Sequence, residues 1–197
     1  MILVTGASGT VGGHVAQELK ARGVSQRTGY HSTEKANKAI ASGEDATVID
    51  YADPKTLDRG LAGAEAVFLV ATGGVGEFEA ETNVLHAARR AGVKRIVKLS
   101  VWRAADEQCA FARLHRAIER TIETADVPWT FIRPTSFMQN FATHFGVSIR
   151  QTNSIFQPAA DAKVSHIDVR DIARVAAEAL TDARHECKAY DISGPQP

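Results

Sequence analysis

Short apolar runs alternate with amphipathic stretches along the whole chain, the pattern of βαβ units that build a parallel sheet. Ile2-Leu3-Val4 reads as the first strand. Val11, Val15 and Leu19 then recur at i, i+4 and i+8 and predict a helix ending near Arg22-Gly23, where glycine supplies a left-handed cap. A strand is expected over 24–30, a helix over 33–42 stopped by Gly43, and a strand over 46–50. Asp53-Pro54 reads as the N-cap and first residue of a short helix carrying Leu57 and Leu61. The run Ala66-Val67-Phe68-Leu69-Val70 is apolar throughout, which suits a strand buried on both faces. A helix over 77–91 presents Phe78, Leu85 and Ala88, and Ile96-Val97-Lys98-Leu99-Ser100 is the fifth strand. Phe111, Leu114, Ile118 and Ile122 share one helical face, predicted to be core, before the strand Trp129-Thr130-Phe131-Ile132 is halted by Arg133-Pro134. Further elements are expected as a short helix around 137–145, a strand near 163–167, a helix capped by Asp168 that runs to about Leu180, and a last strand over 189–193. No repeat, linker or low-complexity tract interrupts the pattern.

Composition narrows the class. With 197 residues, 44% of them hydrophobic, the chain has the size of one domain with its own core. The 23 Lys+Arg balance the 23 Asp+Glu, which argues against a nucleic-acid or anionic-membrane partner. Cys109 and Cys187 lie far apart without metal-ligand spacing, and His14, His86, His144, His166 and His185 show none either, so no disulfide framework or metal site is expected. No apolar run approaches the roughly 20 residues that span a bilayer, and the first strand follows Met1 at once, so a cytoplasmic location is expected.

The chemistry starts at Thr5-Gly6-Ala7-Ser8-Gly9-Thr10-Val11-Gly12-Gly13, which joins the first strand to the first helix as a dinucleotide fold requires. Gly6 allows the tight turn, Gly9 lets the backbone approach a pyrophosphate, and Gly12 lets the helix pack on the sheet. First-turn amides, that of Val11 among them, face the phosphates, and the hydroxyls of Ser8 and Thr10 can add bonds. About twenty residues on, where NAD enzymes place an acid on the adenosine ribose, the chain reads Gln26-Arg27-Thr28-Gly29-Tyr30-His31-Ser32 with no acid. Arg27, His31, Ser32 and Lys35 are the candidate donors to a 2′-phosphate, which favours NADP(H) over NAD(H). At later strand ends, Asp50-Tyr51 and Ala71-Thr72-Gly73-Gly74 occupy the ligand crevice of an open α/β sheet. Asp50 either accepts from the adenine amino group or caps a turn. Ala71, Thr72 and Gly73 either leave room for the cofactor or only shape a loop.

The loop TGASGTVG, the segments His31-Ser32-Thr33-Glu34-Lys35-Ala36, Ala87-Ala88-Arg89-Arg90-Ala91-Gly92-Val93-Lys94 and Trp129-Thr130-Phe131-Ile132-Arg133-Pro134, and the stretch Ile167-Asp168-Val169-Arg170-Asp171-Ile172-Ala173 together resemble the NmrA-like, atypical short-chain dehydrogenase/reductases, nearest the type 2 quinone oxidoreductase-like branch. The resemblance spans essentially the whole chain. It implies a Rossmann-type, doubly wound, mostly parallel sheet in one domain, with about 1–133 as the cofactor-binding core and about 134–197 as a small substrate lobe. Family members often carry Arg or Asn where His31 stands, and most continue past Ser193-Gly194-Pro195, so the lobe is expected to be abbreviated and its pocket open.

Short-chain dehydrogenases use a Tyr-x-x-x-Lys pair for proton transfer; the comparable positions here are Phe111 and His115. His115 replaces the cation that in the family holds the nicotinamide ribose. It is a candidate for that bond or for the acid, or else a helical histidine paired with Glu119. Ser100 stands where the family places a Ser or Thr beside the substrate carbonyl, and Phe137, Met138 and Asn140 line the nicotinamide side by resemblance. The expected function is hydride transfer from NADP(H) to a small carbonyl or a quinone, whose reduced oxygen takes its proton from water or from His115. The alternative is a non-catalytic sensor of NADP(H) acting through a protein partner. A sugar-nucleotide epimerase is disfavoured by the absent tyrosine.

Overall fold

The computed structural model describes residues 1–71, 73–155 and 162–196. Seven strands, β1 (Ile2–Val4), β2 (Gln26–Tyr30), β3 (Ala46–Val48), β4 (Ala66–Leu69), β5 (Arg95–Leu99), β6 (Trp129–Pro134) and β7 (Lys188–Ile192), form one sheet in the order β3-β2-β1-β4-β5-β6-β7. Every pairing is parallel, so the sheet is wholly rather than mostly parallel. The chain reverses direction of travel between β1 and β4, which open side by side with Ile2 opposite Ala66. In sheets of this kind ligands bind at that switch point, beyond the carboxyl ends of the strands.

Alternation along the strands divides the interior in two. Val4, Phe68, Val97 and Ile132 face α1 (Thr10–Ala21) and α7 (Val169–Thr181). Leu3, Val67, Leu69, Ile96 and Phe131 face α3 (Pro54–Leu61), α4 (Glu77–Arg90) and α5 (Ala110–Glu123). α2 (Thr33–Ala41) packs at the β2–β3 edge. Ala173, Ala176 and Ala177, all buried on α7, give α1 a flat surface of small side chains to lie against. Each buried Leu, Ile or Phe contributes about 1.5–3 kcal/mol of burial free energy. Side-chain caps fix most helix starts: the Ser32 hydroxyl accepts from Lys35 N, Asp53 from Lys55 N, Asp168 from Arg170 N, and the Cys109 sulfur from Ala112 N. The helices that begin beside the switch point differ. Gly9 and Gly76 precede α1 and α4, and neither has a side chain to give.

Several expected elements are moved. The helix expected over 137–145 is a 3-10 turn over Met138–Phe141 followed by α6 (Gly146–Thr152). The expected strand over 163–167 reduces to a single bridge between Ile167 and Phe137, because β7 already occupies the free edge of β6. Arg133 and Pro134 do not halt β6 but pair within it, opposite Asp191 and Ile192. Phe111 is not core. It is 53% exposed, because α5 turns its first residue pair toward the cleft and buries Ala112, His115, Ile118 and Ile122 instead.

Candidate functional site

A cleft of about 1400 Å³ runs over the carboxyl ends of the strands, from His31 and Asp50 at one end to Trp102, Phe111 and Phe137 at the other. Its middle is the β1–α1 loop. Gly6 sits at φ +61, and a Cβ there would lie 2.8 Å from Val70 Cγ1. A Cβ on Gly12 would lie 2.4 Å from Gly6 O and 2.8 Å from Thr5 O, so the first turn of α1 rests directly on the loop backbone. Gly9 N donates to Gly6 O at 2.8 Å, which closes the turn. The Thr5 hydroxyl donates to Phe68 O and accepts from Val70 N, bolting β1 to β4. A glycine-walled turn opening onto an uncapped helix start is the geometry a pyrophosphate needs.

Among the residues singled out in the sequence, Gly6, Ser8, Gly9, Thr10, Val11 and Gly12 line the cleft. So do His31, Asp50, Tyr51, Ala71 and Gly73 on the cofactor side, and Ser100 and His115 further along. Asp50 does cap a turn, accepting from Ala52 N at 2.9 Å, and it lines the cleft as well. Tyr51 donates to Val70 O at 2.6 Å, and burial pushes its phenol well above the usual range, so the hydroxyl stays a fastener of the β3–α3 loop. Arg27 does not reach the cleft. Near the start of β2, its guanidinium pairs with Asp45 at 2.8 Å and donates to the carbonyls of Arg59, Gly60 and Ala62. Ser32 spends its hydroxyl on the α2 cap, and the Lys35 side chain is exposed; neither lines the cleft. Thr72 lies outside the described residues.

The far half of the cleft is floored by buried polar side chains that periodicity did not reveal. Lys98, wholly buried on β5, holds its ammonium 2.5 Å from Glu81 Oε2 and 3.2 Å from His115 Nδ1. An ammonium has only donors, so His115 Nδ1 accepts, and the imidazole proton sits on Nε2, 3.7 Å from Glu77 Oε1. His115 is therefore not paired with Glu119. Burial, with the Lys98 charge added, pushes its pKa down to about 3, so it is neutral at neutral pH and is not an imidazolium acid. The sign follows. Between an unfolded value near 6.5 and about 3 the unfolded chain takes up a proton that the folded chain refuses, so this group lowers stability as pH falls through that window. The expected NMR result is a His115 ring that shows no titration from pH 8 to 5.

Glu119, wholly buried on α5, accepts from Arg133 Nε at 2.9 Å and Arg133 Nη2 at 2.7 Å, a two-pronged pair. The Ser100 hydroxyl donates to the same carboxylate at 2.7 Å. Its proton is thus committed, and toward the cleft Ser100 offers lone pairs: it suits a ligand hydroxyl or amide N–H better than a carbonyl oxygen. Signals for this floor were present. Lys98 breaks an apolar strand, and Glu77 and Glu81 stand one turn apart at a helix start beside a glycine loop. Outside the cleft, Glu178, Asp182 and His185 bring their ligand atoms within 4.8 Å, but Arg22 and Arg184 already pair with the two carboxylates.

The sequence profile of the NmrA-like family matches residues 1–196. The chain belongs to the NmrA-like family. An NAD(P)H azoreductase of Xenophilus azovorans is 33% identical over all of this chain and 68% of its own length. Two solved structures superpose on the whole chain and 70% of their own, each with a TM-score of 0.88. They are the Citrobacter sp. triphenylmethane reductase complexed with NADP(H), 29% identical, and the NADPH-dependent quinone oxidoreductase of Escherichia coli complexed with NADPH, 26% identical. These relatives are reductases or oxidoreductases named for, or complexed with, a nicotinamide cofactor, the class that the resemblance implied. No described helix is long and apolar enough to cross a membrane.

Proposed function

We propose that this NmrA-like chain binds NADP(H) along the cleft and reduces a flat, conjugated acceptor, a quinone or small carbonyl. One observation carries the reading: Gly12, where a Cβ would lie 2.4 Å from Gly6 O, lets α1 rest on the loop backbone, so the uncapped start of that helix opens directly onto a glycine-walled turn in the cleft. The dihydronicotinamide would supply the hydride. The chain's own residues do the rest. The loop amides and the hydroxyls of Ser8 and Thr10 hold the pyrophosphate, Asp50 serves the adenine, and Ala71 and Gly73 leave room at the switch point. Ser100 accepts from a ribose hydroxyl or the carboxamide. Trp102 and Phe111, 42% and 53% exposed at the acceptor end, and Phe137 beside them offer ring faces to a planar substrate. The three relatives act on an azo compound, a triphenylmethane and a quinone by their names, all of them π-bonded. All three are reductases or oxidoreductases, and no observation favours the sensor reading.

At the adenosine end His31 lines the cleft where an acid would repel a 2′-phosphate, with Ser32 and Lys35 next along the chain. Fluorescence titration is expected to give NADPH binding at least about tenfold tighter than NADH, a difference of roughly 1.4 kcal/mol. In His31→Asp the preference disappears, mainly through weaker NADPH binding. Equal affinities in the wild type would contradict the 2′-phosphate assignment.

A further inference from the structure

Four ionisable side chains meet under the cleft between the switch point and the acceptor end, each at most 5% exposed: Glu77 and Glu81 from α4, Lys98 from β5 and His115 from α5. Tyr51 also faces Glu81, but its proton is held by Val70 O. The charges do not balance if all carboxyls are ionised. Lys98 is the one cation of the group, because His115 beside it is neutral, and Lys98 stands against Glu81. Glu77 has the neutral imidazole, a backbone N–H of Gly74 and the shared Lys98 charge near it, and among the described residues its Oε2 accepts no hydrogen bond. Two buried carboxylates sharing one ammonium would be costly, so the group retains a proton. Burial pushes both carboxyls above their ordinary range, and two such neighbours titrate as a unit. Glu77, Glu81 and His115 all line the cleft, and Glu77 is the carboxyl beside the Gly73 backbone: its Oε2 lies 3.9 Å from where a Cβ on Gly73 would stand.

We propose that Glu77 is the proton donor of this site, a catalytic residue supplying what Phe111 cannot. The inference rests on the reductase reading above. The O–H bond of the Glu77 carboxyl breaks as an O–H bond forms on the acceptor oxygen. His115 Nε2–H holds that oxygen, and Lys98 fixes the ring that carries it. One hydride from the dihydronicotinamide and one proton from Glu77 complete the two-electron reduction of a C=O group, and water entering the open cleft returns the proton to Glu77. Neutral His115 has no proton to spare at neutral pH, so it positions rather than donates.

The test compares wild type, Glu77→Gln and Glu77→Asp, with a benzoquinone as acceptor. Glu77→Gln is expected to bind NADPH with unchanged affinity and to lose about 10²-fold or more in kcat. The alkaline fall of the wild-type pH profile should vanish with it, and Glu77→Asp should restore part of both. Infrared difference spectra between acid and alkaline pH, taken without cofactor, should show a protonated-carboxyl band in the wild type that is missing in Glu77→Gln. A wild-type kcat and alkaline limb in Glu77→Gln, or a band that persists in it, would overturn the proposal. Because the infrared readout needs neither cofactor nor turnover, failure of NADPH binding would sink the reductase reading while the band still decides whether Glu77 stores the proton.

Discussion

Replacing Gly12 with alanine is expected to weaken NADPH binding by roughly ten- to hundredfold, the equivalent of about 1–3 kcal/mol of overpacking strain. The new methyl would fall 2.4 Å from Gly6 O, 2.7 Å from Gly6 C and 2.8 Å from Thr5 O. All three are backbone atoms, so no rotamer relieves the clash, and what must move is the Gly6 peptide that shapes the phosphate turn. Gly23→Ala is the control. That residue sits at φ +69 with nothing within 4 Å of a Cβ, far from the cleft, so alanine there costs about 1–2 kcal/mol of folding stability. Its NADPH affinity should equal that of the wild type. Equal affinity in Gly12→Ala would mean that the cradle is not the phosphate site.

The second large effect concerns stability. Glu119→Ala is expected to destabilise the fold by about 3–5 kcal/mol, since it strands the buried Arg133 guanidinium and takes the acceptor from Ser100. Arg116 would be left with Glu123 alone. A urea titration should show a midpoint shifted far down with little change in slope. Arg90→Ala, which breaks the exposed pair with Asp58, should shift it by no more than about 1 kcal/mol. A Glu119→Ala midpoint within that smaller range would show that Arg133 finds another partner.

Sheet and helices were legible because burial writes a period into the sequence. The all-apolar run of β4 and the Val11-Val15-Leu19 stripe of α1 each have one physical solution, and the glycine loop announces itself by lying between them. The site floor was less legible. Lys98, Glu81, Glu119 and Arg133 come from β5, α4, α5 and β6, and only the tertiary arrangement makes their charges neighbours. Arg27 and Phe111 failed in opposite ways. Sequence distance put Arg27 near the adenosine end, but strand direction carries it to the other end of β2, where carbonyls of the α3 C-terminus hold it. Helical spacing put Phe111 with Leu114 and Ile118, but the first turn of α5 overhangs the cleft, so a core-type side chain there faces open space. An apolar residue left exposed at the rim of a polar-floored cleft is more informative about function than its place in any pattern.

The central claim is that the cleft uses NADPH as a reductant for a planar acceptor. The direct measurement is anaerobic consumption of NADPH, followed by its absorbance, with a benzoquinone supplied to the purified wild-type chain. Saturable, stoichiometric oxidation that NADH supports only weakly is the predicted result. Tight NADPH binding with no turnover across quinones, conjugated aldehydes and azo or triphenylmethane dyes would contradict it.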